Sequence, residues 1–344
     1  MTNRARLAAS ARLPGAAGRY HMPDVEGRRI LLVDGDVLAV HDLAELFQGR
    51  AEPTVTFPFP WPGWAWGRHS VSPDGTFAVL SGQRSVRAVT ADGGTLWEYR
   101  HPCWDAELGH PHTDDAQVCP NTESGSCRIT ADGSAVWAHV PHGGDEVEGE
   151  EWLVLDAGTG TVLARTALDT MASGSEHLTH PDGRHVGLSV GEGEDRAPVF
   201  WGSWDGVEQT VRPLDDDRYL ADARADAFLT VAHGGDDIVL HRFPDGGGTA
   251  RLPVATIPPH RPGANLYWDF GCGYVGADHV IASTAGCDRG LGPERHWLLD
   301  AATLLRWSAP IAYPGDVTGP PRPLGDGTWL TWNEGRLLRW EIDR

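Results

Sequence analysis

The sequence predicts an all-β chain made of seven copies of one four-stranded antiparallel unit, and three observations carry that prediction. A tight-turn signal followed by an alternating apolar run recurs along the chain: MPDVEGRRILLV, SPDGTFAVL, TADGSAVWAHV, HPDGRHVGLSV, ARADAFLTVA, GADHVIAS and LGDGTWLTW. Its turn residues, Asp24, Asp74, Asp132, Asp182, Ala225, Asp278 and Asp326, lie 43 to 58 residues apart. A second turn series runs in step with the first, as LAVHDLAEL, VRAVTADGGTL, WLVLDAGTGTVL, FWGSWDGVEQTV, VLHRFPDGGGTARL, WLLDAATLLRW and LLRWEID. Asp-Gly between two alternating runs marks a hairpin, because both central turn residues tolerate positive φ. The third observation is compositional: 43 Gly and 25 Pro, with no long helical periodicity.

Two offset turn series at one period give four strands per repeat, with a hairpin joining strands one and two and another joining strands three and four. Seven such units resemble a β-propeller of the WD-repeat or quinoprotein-like superfamily, and the resemblance covers nearly the whole chain. LVLDAGTGTVL and GGTLWEY look like the repeat of pyrroloquinoline-quinone-type propellers, and FWGSWDG places a Trp-Asp where WD repeats have it. The Gly-His…Trp-Asp signature is otherwise missing, so neither family is singled out. The expectation is one propeller domain over residues 1–344. The seventh repeat ends after its third strand at Arg344, and ARLAASARL at 5–13 is the candidate closing strand. Closure matters because an open ring leaves an unpaired sheet edge.

Composition bounds the partners. All 28 basic residues are arginine, which excludes Schiff-base and lysine general-base chemistry. A net charge of −20 speaks against nucleic acid and anionic membranes and favours cationic partners. No run approaches a membrane span, and MTNRARLAASARLPGAAGRY lacks the continuous apolar stretch of a signal peptide. The expected location is cytoplasmic, where cysteines are thiols. A propeller without a secretion signal fits poorly with periplasmic quinoproteins, so pyrroloquinoline quinone is not expected.

Candidate sites lie on loops and first strands. HPCWDAELGHPHTDDAQVCPNTESGSC, residues 101–127, is a long inter-blade connection holding three of the five cysteines. It has three readings: a divalent-metal loop using His110, His112 and Asp114, a loop stapled by Cys119 and Cys127, or a long surface connection. The acidic stretches HGGDEVEGEE (142–151), GEGED (191–195) and HGGDD (233–237) are expected on the same loop-rich face. Arg19, Arg68, Arg128, Arg218 and Arg322, with Asp269, fall near the starts of the first strands and suit an anionic small molecule in the channel mouth. His69 and His177 are the acid-base candidates, with Glu176 beside them, although neighbours in a strand face opposite ways. Trp61 and Trp64 of WPGWAWG are candidates to line the mouth against a sugar or aromatic ligand. The leading functional expectation is a binding scaffold presenting an acidic face to a protein partner with a basic surface. The alternative is a small-molecule enzyme, a metal-assisted lyase or hydrolase, at the channel mouth.

Overall fold

A computed structural model describes residues 3–14, 24–64, 66–104, 118–119, 123–142, 149–215, 217–259, 265–286, 294–306, 309–333 and 335–343. Seven four-stranded antiparallel sheets follow one another along the chain as the blades of a β-propeller. Blade two consists of Ser70–Val71, Phe77–Ser81, Ser85–Thr90 and Thr95–Arg100. Blade three consists of Ser126–Ile129, Ala135–Pro141, Glu150–Asp156 and Val162–Leu168. The last blade is Thr318–Pro323, Thr328–Asn333 and Arg336–Ile342, completed by Ala5–Arg12 from the other end of the sequence.

The Asp-Gly turns work through the aspartate. In blade two, Asp74 Oδ1 accepts from the Thr76 backbone N–H and from the Ser72 and Thr76 hydroxyls, at 3.1, 2.7 and 2.8 Å. Gly75 follows at φ +73°, which a side chain would strain. Asp132 repeats the arrangement with Thr130 and Ser134. The short polar side chains thus specify the hairpin, and the alternating runs beyond it supply the strands.

The closing strand pairs along its whole length, from Ala5 opposite Ile342 to Arg12 opposite Arg336, with one irregularity between Leu7 and Ala9. Leu13 extends the seam by donating its N–H to Gly335 O at 3.0 Å. The expected strand at 5–13 is therefore the fourth strand of the last blade.

Three local expectations are corrected. LAVHDLAEL does not form a hairpin turn: Leu43–Phe47 is a short helix, with Asp42 accepting from the Ala44 and Glu45 N–H groups as its N-cap. In the sixth sheet the first strand is two pieces, Leu266–Trp268 and Gly273–Tyr274, both bonded to His279–Gly286. The acidic stretches are partly internal. Glu150 and Glu151 are buried in a strand, and Asp237 is buried between Arg218 and Arg251. The pleat turns these carboxylates inward, and buried ones persist only when paired.

The chain packs as two compact bodies. One, residues 31–41 and 53–217, centres on tryptophans: Trp137 and Trp152 are 4.7 Å apart and fully buried. Gly202 lies beneath them, where a Cβ would sit 2.7 Å from the Trp137 ring. The other, residues 1–30, 42–52 and 218–344, buries Trp268, Trp297 and Trp329. Each such side chain contributes roughly 1.5–3 kcal/mol of burial.

Candidate functional site

The first strands of blades two, three and four carry a connected polar line, blade four being Gly174–Thr179, His185–Gly191, Val199–Trp204 and Gln209–Asp215. The backbone of Arg68 bridges the next first strand: its N–H donates to Gly125 O and its carbonyl accepts from Cys127 N. Ser70 Oγ accepts from Ile129 N at 3.0 Å. Ser126 Oγ lies 2.7 Å from Ser175 Oγ and 2.8 Å from His177 Nδ1. Trp152 Nε1, which can only donate, reaches His177 Nε2 at 2.9 Å. Nε2 is therefore the acceptor, so Nδ1 carries the proton and donates to Ser126. Burial, then the charges of Arg128 and His139, hold the His177 imidazole well below its ordinary pKa.

These contacts redefine several candidate residues. His177 is a neutral brace with both ring nitrogens engaged, an arrangement that suits structure rather than proton transfer. Glu176, its neighbour, points to solvent, as strand alternation requires. His69 Nδ1 accepts from the Ser81 N–H at 3.2 Å, and the ring meets Phe59 edge-on. Arg128 donates to His177 O at 3.3 Å, and Arg322 reaches Val25 O at 3.5 Å. Arg218 is 9 % exposed and held by Thr230 and by Asp237 at 2.7 Å, so it neutralises a buried carboxylate. Arg19, His110, His112 and Asp114 lie outside the described residues.

The expected thiols stand, and the alternative of a stapled loop fails: Cys103, Cys119, Cys127 and Cys272 are thiols. Cys127 is buried, and its thiol donates to Val79 O at 3.2 Å and Arg68 O at 3.4 Å, so it is not bridged to Cys119. Cys119 faces Cys103 instead, with the sulfurs 3.9 Å apart as thiols. Among the described residues, the group able to present three metal ligands is His180, Asp182 and His185. Here blade four uses imidazoles where blades two and three use hydroxyls. Partial burial works to raise the Asp182 carboxyl, but the His185 and Arg184 N–H groups and the imidazoles outweigh it and hold it well below the usual range.

The second body carries a different constellation. Asp269 lies between the two pieces of the split first strand of the sixth blade, directly after Trp268, and Phe270 after it is 48 % exposed. Phe270 packs edge-on against Tyr219 at 4.5 Å, and Tyr219 meets His233 at 5.6 Å. Glu294 lies close enough to feel the charge of Asp269. Burial, then that charge, pushes its carboxyl up to about 7 despite a bond from the Gly319 N–H. Glu294 Oε2 is buried without a hydrogen-bond partner. Asp269 and Glu294 thus repel one another, and the exposed Phe270 ring follows directly on Asp269 in sequence. Reading first strands by their basic residues drew attention to Asp269 but missed Glu294, which lies at the head of a third strand. An acid just before the apolar run RHWLLD was the available signal.

Trp61 and Trp64 are buried core residues rather than exposed rings, at 7 % and 1 % exposure. They nonetheless wall a half-open pocket of about 160 Å³ against blade two, lined also by Gln83, His101 and the charged side chains of Arg84, Glu98 and Arg100. The start of the 101–127 connection thus lines a cavity.

No family model and no curated protein matches this chain. Among solved structures its fold is similar to the WD40 repeats of RRP9, with a TM-score of 0.56 at 11 % identity, covering 99 % of this chain and 100 % of that one. It is similar also to U3-55K, with a TM-score of 0.54 at 12 % identity and coverages of 98 % and 99 %. A third likeness is to dihydro-heme d1 dehydrogenase NirN, solved in complex with DHE, with a TM-score of 0.51 at 16 % identity. That match covers 94 % of this chain, which spans only 63 % of the NirN chain. At these identities the likenesses establish the fold alone: a seven-bladed β-propeller.

Proposed function

We propose that this protein is a cytoplasmic binding scaffold whose acidic, aromatic site at Asp269, Phe270, Tyr219 and Glu294 docks a basic segment of a protein partner. The observation that carries this reading is the Glu294 carboxyl, held beside Asp269 with one oxygen unpartnered. An arginine side chain answers both features, since its guanidinium pairs with carboxylates and lies over aromatic faces. The net charge of −20 favours encounter with a basic partner. WD-repeat-like propellers supply an additional, general precedent for interaction platforms, although fold alone does not assign function. The enzyme alternative draws no support from His177, both of whose ring nitrogens are engaged, and His69 Nδ1 is taken by the Ser81 N–H.

The test is calorimetric titration of a short arginine-containing peptide against the full chain at pH 6 and pH 8. Deprotonation of Glu294 strengthens the site, so affinity rises with pH through about 7. Glu294→Gln removes that pH step, and Phe270→Ala weakens binding several-fold. Binding that is absent, or unchanged by both substitutions, overturns the assignment.

A further inference from the structure

Cys103 and Cys119 lie in the other body, apart from the docking site, and their sulfurs are 3.9 Å apart although 16 positions separate them in sequence. A disulfide holds its sulfurs about 2.05 Å apart, so bridging requires a closure of roughly 2 Å, within the reach of side-chain rotation. Gln83, on the turn between the second and third strands of blade two, fixes both backbones. Its Oε1 accepts from the Cys119 N–H at 2.7 Å. Its carbonyl oxygen accepts from the N–H of Trp104, directly after Cys103, at 3.2 Å. Two segments clamped to one residue keep the thiols facing each other.

The two sulfurs differ in access. Cys103 is half-buried, whereas Cys119 is 3 % exposed. Cys127 is buried with its thiol donating to the Val79 and Arg68 carbonyls, and Cys272 is buried too. Among the described cysteines, an oxidant arriving from solvent therefore meets Cys103 first, and Cys119 is the thiol that faces it.

We propose that Cys103 is a modification site for low-molecular-weight disulfides of the glutathione class, with Cys119 as its resolving thiol. The Cys103 thiolate attacks one sulfur of glutathione disulfide, forming a mixed disulfide and expelling one glutathione thiolate, which takes up a proton. The Cys119 thiolate then attacks the Cys103 sulfur, forming the Cys103–Cys119 bond and expelling the second glutathione. Two protein thiols are oxidised, one glutathione disulfide is reduced to two thiols, and excess reduced glutathione reverses both steps. His101 and Val118, each within two residues of one of these cysteines, line the half-open pocket beside blade two. Oxidation thus ties two walls of that pocket together through a covalent bond.

The test incubates the reduced full chain with glutathione and its disulfide over a graded series of ratios. Samples are quenched with acid, alkylated under denaturing conditions and mapped by peptide mass spectrometry. The expected product is an intrachain Cys103–Cys119 bridge, reversed on return to reduced glutathione, with Cys127 and Cys272 still open to alkylation. In Cys119→Ser the first step proceeds and the second cannot, so one glutathione accumulates on Cys103. Cys103→Ser loses the bridge and leaves Cys119 unmodified. Thermal melts check that both serine variants fold, and the map of the unaltered chain decides the matter without them. A chain in which Cys103 keeps its glutathione, in which the bridge runs to another cysteine, or in which both thiols survive overturns the proposal. A bridge that reduced glutathione cannot reverse is a structural staple and overturns it as well.

Discussion

At the residue scale, the tautomer of His177 depends on one indole N–H. Trp152 lies 25 residues from it in sequence, and its Nε1–H is the partner of His177 Nε2. Trp152→Phe keeps the ring but leaves that nitrogen buried and unmet, so we expect a loss of roughly 1–3 kcal/mol. Urea unfolding measures it, and a loss under about 0.5 kcal/mol would remove the brace from this account. Strand alternation placed His177 and Glu176 on opposite sides, and the structure agrees. The commitment of both ring nitrogens was not legible, because its partners, Ser126 and Trp152, both arrive from the preceding blade.

At the element scale, the seam between Ala5–Arg12 and Arg336–Ile342 is the part of the fold most open to a direct test. Deleting residues 1–15 strips the outer strand from the last blade and bares the edge of Arg336–Ile342. The melting temperature is expected to fall sharply, with aggregation on heating, and an unchanged value would refute the seam. This strand was readable because the repeat count came out one strand short. The short helix at Leu43–Phe47 was not anticipated, since the aspartate that marks hairpins elsewhere here caps a helix. Asp, then Glu three residues on, inside DLAEL was the local cue, and the repeat pattern overrode it.

At the scale of the whole molecule, buried histidines set the response to acid. His101 and His296 have pKa values lowered to about 4 by burial, and His177 is depressed as well. Their unfolded forms titrate near 6.5, so below that pH the unfolded chain binds more protons than the folded one. Stability is therefore full above about 6.5 and is lost as pH falls toward 4. Each histidine contributes a slope of roughly 1.4 kcal/mol per pH unit in that window. Glu294 and the buried Asp222 oppose them with at most one proton each, because their raised pKa values favour the folded state as pH falls. Three imidazoles against two carboxyls leave a net loss, and urea midpoints at pH 7.5 and 5.5 should differ in that direction. Equal midpoints would mean that these imidazoles titrate freely. Charge and repeat number were legible at this scale from composition and spacing, whereas burial of particular imidazoles was not.

The seam also orders events in time. Arg6 bonds to Glu341 across 335 positions of sequence. At synthesis rates of about 5–20 residues per second, Ala5–Arg12 waits on the order of 15–70 seconds after its own synthesis for its partner strand. Until Arg336–Ile342 is made it is a short, alternating segment with no sheet to join, and the last blade is completed only when the two strands meet. In that interval, exchange of the strand between two chains competes with closure within one, so crowded polysomes favour swapped dimers and slow, dilute expression favours monomers.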